Sequence, residues 1–487
     1  MGRTDFRGAF ALALLALAVG CARVGDARTS PPSNGRDASS DAPASGDGAV
    51  SMPPVPAADA QSSVKDAATG CINLQCRQVA CDGPPTSLGG TVYAPNGTLP
   101  LYNVIVYVPN APLEPFKPGI SCDRCGVVAS GHPVVSAVSD AQGHFTLNNV
   151  PAGKDIPLVV QVGKWRRQVT IPNVTACQQN VLTDSNLTRL PRNRKEGDIP
   201  SIAVATGECD QLGCVFAKIG VDAAEFGVAG DNKAIIYYHD KNEGDLAIAG
   251  PPNMRESTEL WSNETTLANY DMTLLSCGCG ENLETKPGPA LAAVTNYVGR
   301  GGRIFGSHYS YVWLRDSPNP MFAQAASIPG FTGETATFDP MTVDTSFPKG
   351  KALADWLMTV NPTTPYGKIE GRQIFNDVVS VRPGAAQVWA NSPSSGNGGD
   401  HPRIVTVNAP VGLPADQQCG RAALLTAHIT PSPGYYPPGD GVTNRVFPGV
   451  CGKELTKGEE ALAFLLFDLA ACIQDDTRPV IPPIIVP

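Results

Sequence analysis

The sequence predicts a multidomain chain in which an all-β sandwich precedes a doubly wound α/β domain. Three observations carry this. Short β-branched runs separated by Pro, Gly and Asn turns fill Thr91 to Ile171, continuous apolar runs alternate with helical periodicity after Glu196, and residues 22–70 show neither pattern. The first pattern is that of antiparallel strands joined by tight turns. The second is that of parallel strands covered by helices on both faces. Of the 487 residues 42 % are hydrophobic, enough for a large core, while 50 Gly and 45 Pro demand many turns.

The N-terminus reads as an address. Arg3 and Arg7 make a positive segment and Ala9 to Val19 an apolar one too short to span a bilayer. The string Leu17-Ala18-Val19-Gly20-Cys21 resembles the lipobox of bacterial lipoproteins. That resemblance implies that residues 1–20 are a removed signal peptide and that Cys21 is the lipidation site. The expected partner is then a membrane, reached through the lipid, and Ala22 after the cysteine leans towards the outer membrane of the cell envelope. Residues 21–70, rich in Ala, Ser, Asp, Pro and Gly without an aromatic ring, predict a disordered tether.

Strands are expected at Thr91–Tyr93, Asn103–Val108, Ser136–Ser139, His144–Leu147, Leu158–Val162 and Gln168–Ile171, within a domain at residues 71–190. The turns Asp140-Ala141-Gln142-Gly143-His144-Phe145 and Val150-Pro151-Ala152-Gly153 follow one another in the order of the carboxypeptidase regulatory-like, transthyretin-like module, which this segment resembles. Members of that family are non-catalytic, so the resemblance implies spacing, binding or support. Cys71, Cys76, Cys81, Cys122, Cys125 and Cys177 surround the module, and an even count in an exported domain suggests three disulfides among them. A zinc site using the Cys122-Asp123-Arg124-Cys125 spacing is the alternative, but no histidine stands at finger spacing. Lys164-Trp165-Arg166-Arg167, with Arg189, Arg192, Arg194 and Lys195, either forms a patch for anionic ligands or docks on the acidic second domain.

The second domain is expected at residues 196–475. Ser201–Ala205, Ala234–Tyr238, Met272–Ser276 and Arg303–Ser307 are continuous apolar strands. Helices are expected around Gln211–Ile219, Glu256–Leu267, Pro289–Val298 and Lys349–Val360, with Trp356 in the core, and a capping box at Thr456 to Glu459 opens the last helix. In such a fold ligands gather at the C-terminal ends of the strands. Neither a Gly-x-Gly-x-x-Gly nor a Gly-Lys-Ser/Thr loop is present, which weakens nucleotide binding. Tyr270 to Cys277, Gly301-Gly302-Arg303-Ile304-Phe305-Gly306-Ser307-His308 and Cys419 to His428 resemble the class I glutamine amidotransferase-like superfamily, nearest its trehalose-utilisation branch. That likeness implies a flavodoxin-like sheet and, as candidates for a cysteine nucleophile and its base, Cys277 or Cys279 with His308 or His428. Ser276-Cys277-Gly278-Cys279-Gly280 departs from the family's elbow, and His428-Ile429-Thr430 lacks the orienting carboxylate. His308 with Tyr309, Tyr311 and Trp313 could stack on a sugar, and His239 ends the second strand near the same edge. Seven cysteines follow Cys177, so one thiol stays free unless a bond crosses between domains.

The chain as a whole resembles myxobacterial envelope lipoproteins bearing a carboxypeptidase regulatory-like domain. The leading expectation is a lipid-anchored, non-catalytic envelope protein whose α/β domain binds a small polar ligand such as a carbohydrate. A cysteine-dependent amide or ester hydrolase is the first alternative, and a structural scaffold using the basic stretch and the Pro-rich tail at 476–487 is the second. No cofactor and no metal is expected, and 45 acidic against 36 basic residues exclude nucleic acid as a partner.

Overall fold

Alternation of buried and exposed residues builds the first half of the molecule. The structure is a computed structural model that describes residues 70–240, 250–330, 340–371, 373–375, 377–393, 399–430 and 446–485. Cys21, the signal segment and nearly all of the tether therefore lie outside the described residues. The strands are β1 (Ser87–Thr91), β2 (Ile105–Pro109), β3 (Pro133–Val138), β4 (His144–Asn148), β5 (Gly153–Val162), β6 (Trp165–Val174) and β7 (Gln179–Leu182). They form two sheets, ordered β4-β1-β7 and β3-β2-β5-β6. In β4 only Phe145 and Leu147 turn inward, and they meet Val106, Leu158 and Val160 of the other sheet in one core, the arrangement of a β-sandwich. The turn before β4 is held by Asp140, whose carboxylate accepts the amides of Gln142 and His144 at 2.9 and 2.8 Å. Gly143 has a φ of +79°, and a Cβ there would lie 2.9 Å from the Val92 carbonyl oxygen, so only glycine fits.

The second half is ordered along the chain as β8 (Ile202–Ala205), α1 (Cys214–Lys218), β9 (Phe226–Val228), β10 (Ile235–His239), β11 (Arg255–Glu256), α2 (Thr258–Trp261), α3 (Glu264–Leu267), β12 (Met272–Leu275), α4 (Gly288–Gly299), β13 (Arg303–Ser307), α5 (Val312–Arg315), α6 (Pro320–Ala323), β14 (Ala326–Ser327), β15 (Met341–Val343), α7 (Pro348–Val360), β16 (Lys368–Ile369), β17 (Gln373–Ile374), β18 (Ser380–Val381), β19 (Gln387–Pro393), β20 (Asp400–Ala409), β21 (Gly420–Leu425), β22 (Ala427–His428) and α8 (Lys457–Ala470). The strands β10-β8-β12-β13-β21 run parallel, and β20, β19, β15 and β16 extend the sheet antiparallel. Successive residues face opposite layers. Val204, Tyr237, Leu274 and Phe305 pack with α7 and α8, while Ala203, Ile236, Leu275 and Ile304 pack with α2, α4 and α5. The Thr456 capping box is present: its hydroxyl accepts the Glu459 amide at 3.3 Å and Glu459 accepts the Thr456 amide at 2.7 Å.

One core spans both halves. Tyr102 stacks on Phe464 at 5.5 Å, Trp165 meets Phe467 at 6.0 Å, and Trp356 donates its indole N–H to the Pro100 carbonyl at 2.8 Å. The basic run belongs to this junction rather than to an outer patch. Lys164 is buried against Asp271 at 2.7 Å, Arg166 pairs with Asp198 at 2.9 Å, and Arg189 pairs with Glu196 at 2.6 Å. Their charges are thereby engaged within the chain, while Arg192, Arg194 and Lys195 stay exposed.

Six disulfides close among the described residues, and their pairing corrects the expectation of a self-contained set in the sandwich. Cys71–Cys76 and Cys81–Cys177 stay there, but Cys122 bonds Cys419 and Cys125 bonds Cys472. The segment carrying Cys122 and Cys125 leaves the sandwich and reaches the second half, where Ile120 takes the Ala268 carbonyl and Cys125 that of Ile473. Cys209–Cys279 and Cys214–Cys451 complete the set, which leaves the buried Cys277 as a free thiol. The described C-terminal residues are fastened at two points and leave Ile481, Ile484 and Ile485 exposed. Asp476 is buried in an ion cluster and Ile484 pairs with Val128.

Candidate functional site

Three of the parallel strands deliver chemistry to their C-terminal ends. Cys277 follows β12 by two residues, His308 directly follows β13, and His428 stands three residues past β21. His308 occupies a strand-to-helix turn with φ +42°, a left-handed conformation that a non-glycine residue adopts only when its surroundings hold it there. Phe375 holds the ring by parallel stacking at 3.6 Å, and Tyr309 lies 3.9 Å away on a tilted plane.

The three side chains meet in the interior. Cys277 Sγ lies 3.5 Å from His308 Nδ1, and His308 Nδ1 lies 3.1 Å from His428 Nε2. His428 Nδ1 is 3.0 Å from Gln373 Oε1. An amide oxygen can only accept, so Nδ1 of His428 carries the proton and its Nε2 presents a lone pair to His308. On the far side of the His308 ring, Nε2 faces an Asp377 oxygen at 3.7 Å, beyond hydrogen-bond range. The backbone is fixed as firmly, since the Cys277 amide donates to Ser307 Oγ at 3.1 Å and the Cys277 carbonyl accepts from Cys209 at 3.0 Å.

Burial sets the charge state. It pushes the Cys277 thiol up to about 12 and, with help from neighbouring His428, holds His308 down to about 2. Asp210, which accepts the Thr430 amide at 2.9 Å and also bonds the Thr430 hydroxyl, is raised by burial to about 7 in spite of those bonds. The Cys277 thiol and the His308 imidazole beside it are therefore neutral.

The other candidates fall elsewhere. Cys279, four residues past the end of β12, is bonded to Cys209, which leaves it no thiolate and corrects its place among the catalytic candidates. Trp313 is buried against Trp261 at 5.1 Å, and Tyr311 is buried with its hydroxyl on Glu281 at 2.5 Å. These two rings serve the core, so a sugar-stacking platform made of Tyr309, Tyr311 and Trp313 does not exist and only Tyr309 is half-exposed. His239 contacts the Asp240 carbonyl at 3.1 Å and does not join the cluster. Gln373, Phe375, Asp377, Asp210 and Thr430 complete the site but carry no motif. Their only sequence signal is position: Asp210 follows the first parallel strand and Thr430 the last.

Beside Cys277 a cavity of about 10 Å³, close to the size of one water, is lined by Thr206, Asp240, Ser276, Gly278 and Tyr309. A cavity of about 340 Å³ lies away from this centre, between the Cys122–Cys125 segment and Ile481 and Pro483.

No family model matches the chain, and no curated protein matches it. Among solved structures, a cytoplasmic protein from Salmonella typhimurium, STM3548, is similar at 13 % identity and a TM-score of 0.29, covering 57 % of this chain and 100 % of its own. Two mutant type II cohesin–X-dockerin complexes from Acetivibrio cellulolyticus follow. One has 15 % identity, a TM-score of 0.16 and coverage of 28 % of this chain and 85 % of its own; the other has 17 %, 0.15, 26 % and 78 %. Similarities of this strength carry no argument about fold or activity. Among the described residues no helix is long and apolar enough to cross a membrane.

Proposed function

We propose that the protein is a lipid-anchored component of a bacterial cell envelope, with a carboxypeptidase regulatory-like sandwich as spacer and an amidotransferase-like α/β half that binds a small polar ligand without turning it over. The observation that carries the binding reading is the meeting of Cys277, His308 and His428 at the C-terminal edge of the parallel strands, the position where open α/β sheets take ligands. Six disulfides support an oxidising compartment. Without the aromatic platform a carbohydrate loses its main recognition element, so the ligand is better sought among small polar molecules and ions.

Thermal-shift screening of the mature protein tests this. Ligands of the site should raise the Tm of the wild type and leave His308→Ala unmoved; a library with no response in either protein would end the binding reading. For the anchor, Cys21→Ala should move the protein from the membrane to the soluble fraction, and an unchanged distribution would contradict lipidation.

The hydrolase reading keeps one favourable observation, the 3.5 Å contact of thiol and imidazole. Against it, a thiol held near 12 beside a base held near 2 gives almost no thiolate at neutral pH. Iodoacetamide should leave Cys277 unmodified until the protein unfolds. Rapid native alkylation would restore the hydrolase.

A further inference from the structure

The contacts around His308 compete for one nitrogen. Nδ1 faces the Cys277 sulfur at 3.5 Å and His428 Nε2 at 3.1 Å, while Nε2 of the same ring has no hydrogen-bond partner. If Nδ1 carries a proton it serves His428 and leaves the thiol without an acceptor. If Nδ1 carries a lone pair, it stands against the lone pair that Gln373 imposes on His428 Nε2. The Cys277 sulfur, which also takes backbone hydrogen bonds from Tyr309 and Cys279, and the His428 ring thus converge on one nitrogen of His308, with the three residues buried at 0 %, 2 % and 5 % exposure for Cys277, His308 and His428.

A cation in the middle satisfies all of them. Around a tetrahedral zinc ion, with Zn–N about 2.05 Å and Zn–S about 2.3 Å, two nitrogens stand about 3.3 Å apart and each stands about 3.5 Å from the sulfur. The corresponding distances here are 3.1 and 3.5 Å. The sulfur of Cys277 and a nitrogen of His428 also lie within 4.8 Å of one another. The surroundings resemble those of metal-bound histidines: Gln373 holds the other nitrogen of His428 at 3.0 Å, and on His308 the free Nε2 faces the Asp377 carboxylate at 3.7 Å, near enough for a small shift to make that ring's outer contact. Phe375 fixes the His308 plane. Cys209 is also close, but as half of a disulfide it offers no thiolate.

We infer that Cys277, His308 and His428 bind one borderline divalent metal ion of the zinc type, through Sγ, Nδ1 and Nε2. On binding, the thiol loses its proton to solvent and the metal–sulfur bond forms in its place, with no change of oxidation state. Three protein ligands leave the fourth position open, and there the small polar ligand of the proposed function would coordinate through an oxygen or nitrogen; to that extent the inference rests on the same binding reading.

The test uses the mature, oxidised protein, stripped with chelator and then given Zn²⁺ or Co²⁺. One zinc per chain should remain after dialysis, and Co²⁺ should give a thiolate-to-cobalt charge-transfer band. Cys277→Ser should abolish that band, His428→Ala should weaken zinc about 100-fold or more, and Gln373→Ala about 10- to 100-fold. A wild type that retains no zinc and shows no cobalt band overturns the inference without requiring any variant to fold. Zinc retained equally by the Cys277→Ser/His428→Ala double variant overturns it too, by placing the ion elsewhere. If zinc fails but an organic ligand raises the Tm in a His308-dependent way, the metal inference falls and the binding reading stands. If neither binds, both fall.

Discussion

Strand β21 carries a buried polar cluster at each end, and the two differ in kind. Near its start Arg421 pairs with Asp476 at 2.7 Å and Asp468 at 3.2 Å, and Lys349 pairs with the same carboxylates at 2.9 and 2.8 Å. Burial alone would raise Asp476, yet Arg421 and Lys349 hold it at about 2. Past its end stand Cys277, His308 and His428, turned towards one another, with the thiol and the His308 ring uncharged. In the first cluster every charge faces an opposite charge within 3.2 Å, and the group joins α7, α8 and the C-terminal segment. In the second no opposite charges pair; a thiol and an imidazole converge on one nitrogen of His308. Paired charge marks the first as structural, and the proposed function makes the second the ligand site.

The largest effect should come from breaking the charged cluster. Asp476→Ala leaves two buried cations with one carboxylate and should cost about 3–5 kcal/mol, read by denaturant unfolding with disulfides intact. A loss below 1 kcal/mol would show that the cluster is not structural. The acid limb sharpens the contrast. Asp476 is depressed in the folded state, so its contribution holds above its unfolded value of about 4 and is lost as pH falls towards about 2. Asp210 is raised, so the folded chain keeps a proton that the unfolded chain has released. Its effect has the opposite sign: stability falls as pH rises from about 4 through 7, by at most about 4 kcal/mol, and the difference between wild type and Asp210→Asn should trace that slope. A flat difference curve would refute the raised carboxyl.

Next in size is the covalent fastening of the charged end, where Cys419 and Cys472 lie close in sequence to Arg421 and Asp468. Replacing Cys122 and Cys419 together by serine should cost about 2–4 kcal/mol, measured as ΔTm against the oxidised wild type, and an unchanged Tm would mean that noncovalent packing already fixes the junction. The smallest effect is expected at the other end. In the chelator-stripped protein Cys277→Ser removes no paired charge and should change stability by about 1 kcal/mol or less. A cost as large as that of Asp476→Ala would erase the distinction between the two ends.

Much of the fold was legible because burial repeats along the chain. Ile202–Ala205, Met272–Leu275 and Arg303–Ser307 are covered on both faces and show as unbroken apolar runs, and the Thr456–Glu459 cap marks its helix by local chemistry. The antiparallel extension was not legible. In β19 the register slips at Val388 and Ala390, and β20 buries Arg403 against Ser392, so neither strand keeps a clean period of two. Of the site, Cys277, His308 and His428 could be named as candidates because their residue types are chemically distinctive and stand after strands. Gln373, Asp377 and Asp210 could not, since nothing in a lone polar residue tells which histidine or threonine it will meet.

By itself, then, the sequence determined the element types, the strand ends at which chemistry gathers and the odd cysteine, all of which depend on neighbours along the chain. Tertiary structure alone decided that Cys122 and Cys125 leave the sandwich, that Trp313 and Tyr311 turn inward, and that Cys279 is bonded while Cys277 is free. Each of those outcomes turns on which residues far apart in sequence come within a few ångströms, and spacing along a chain does not encode that distance.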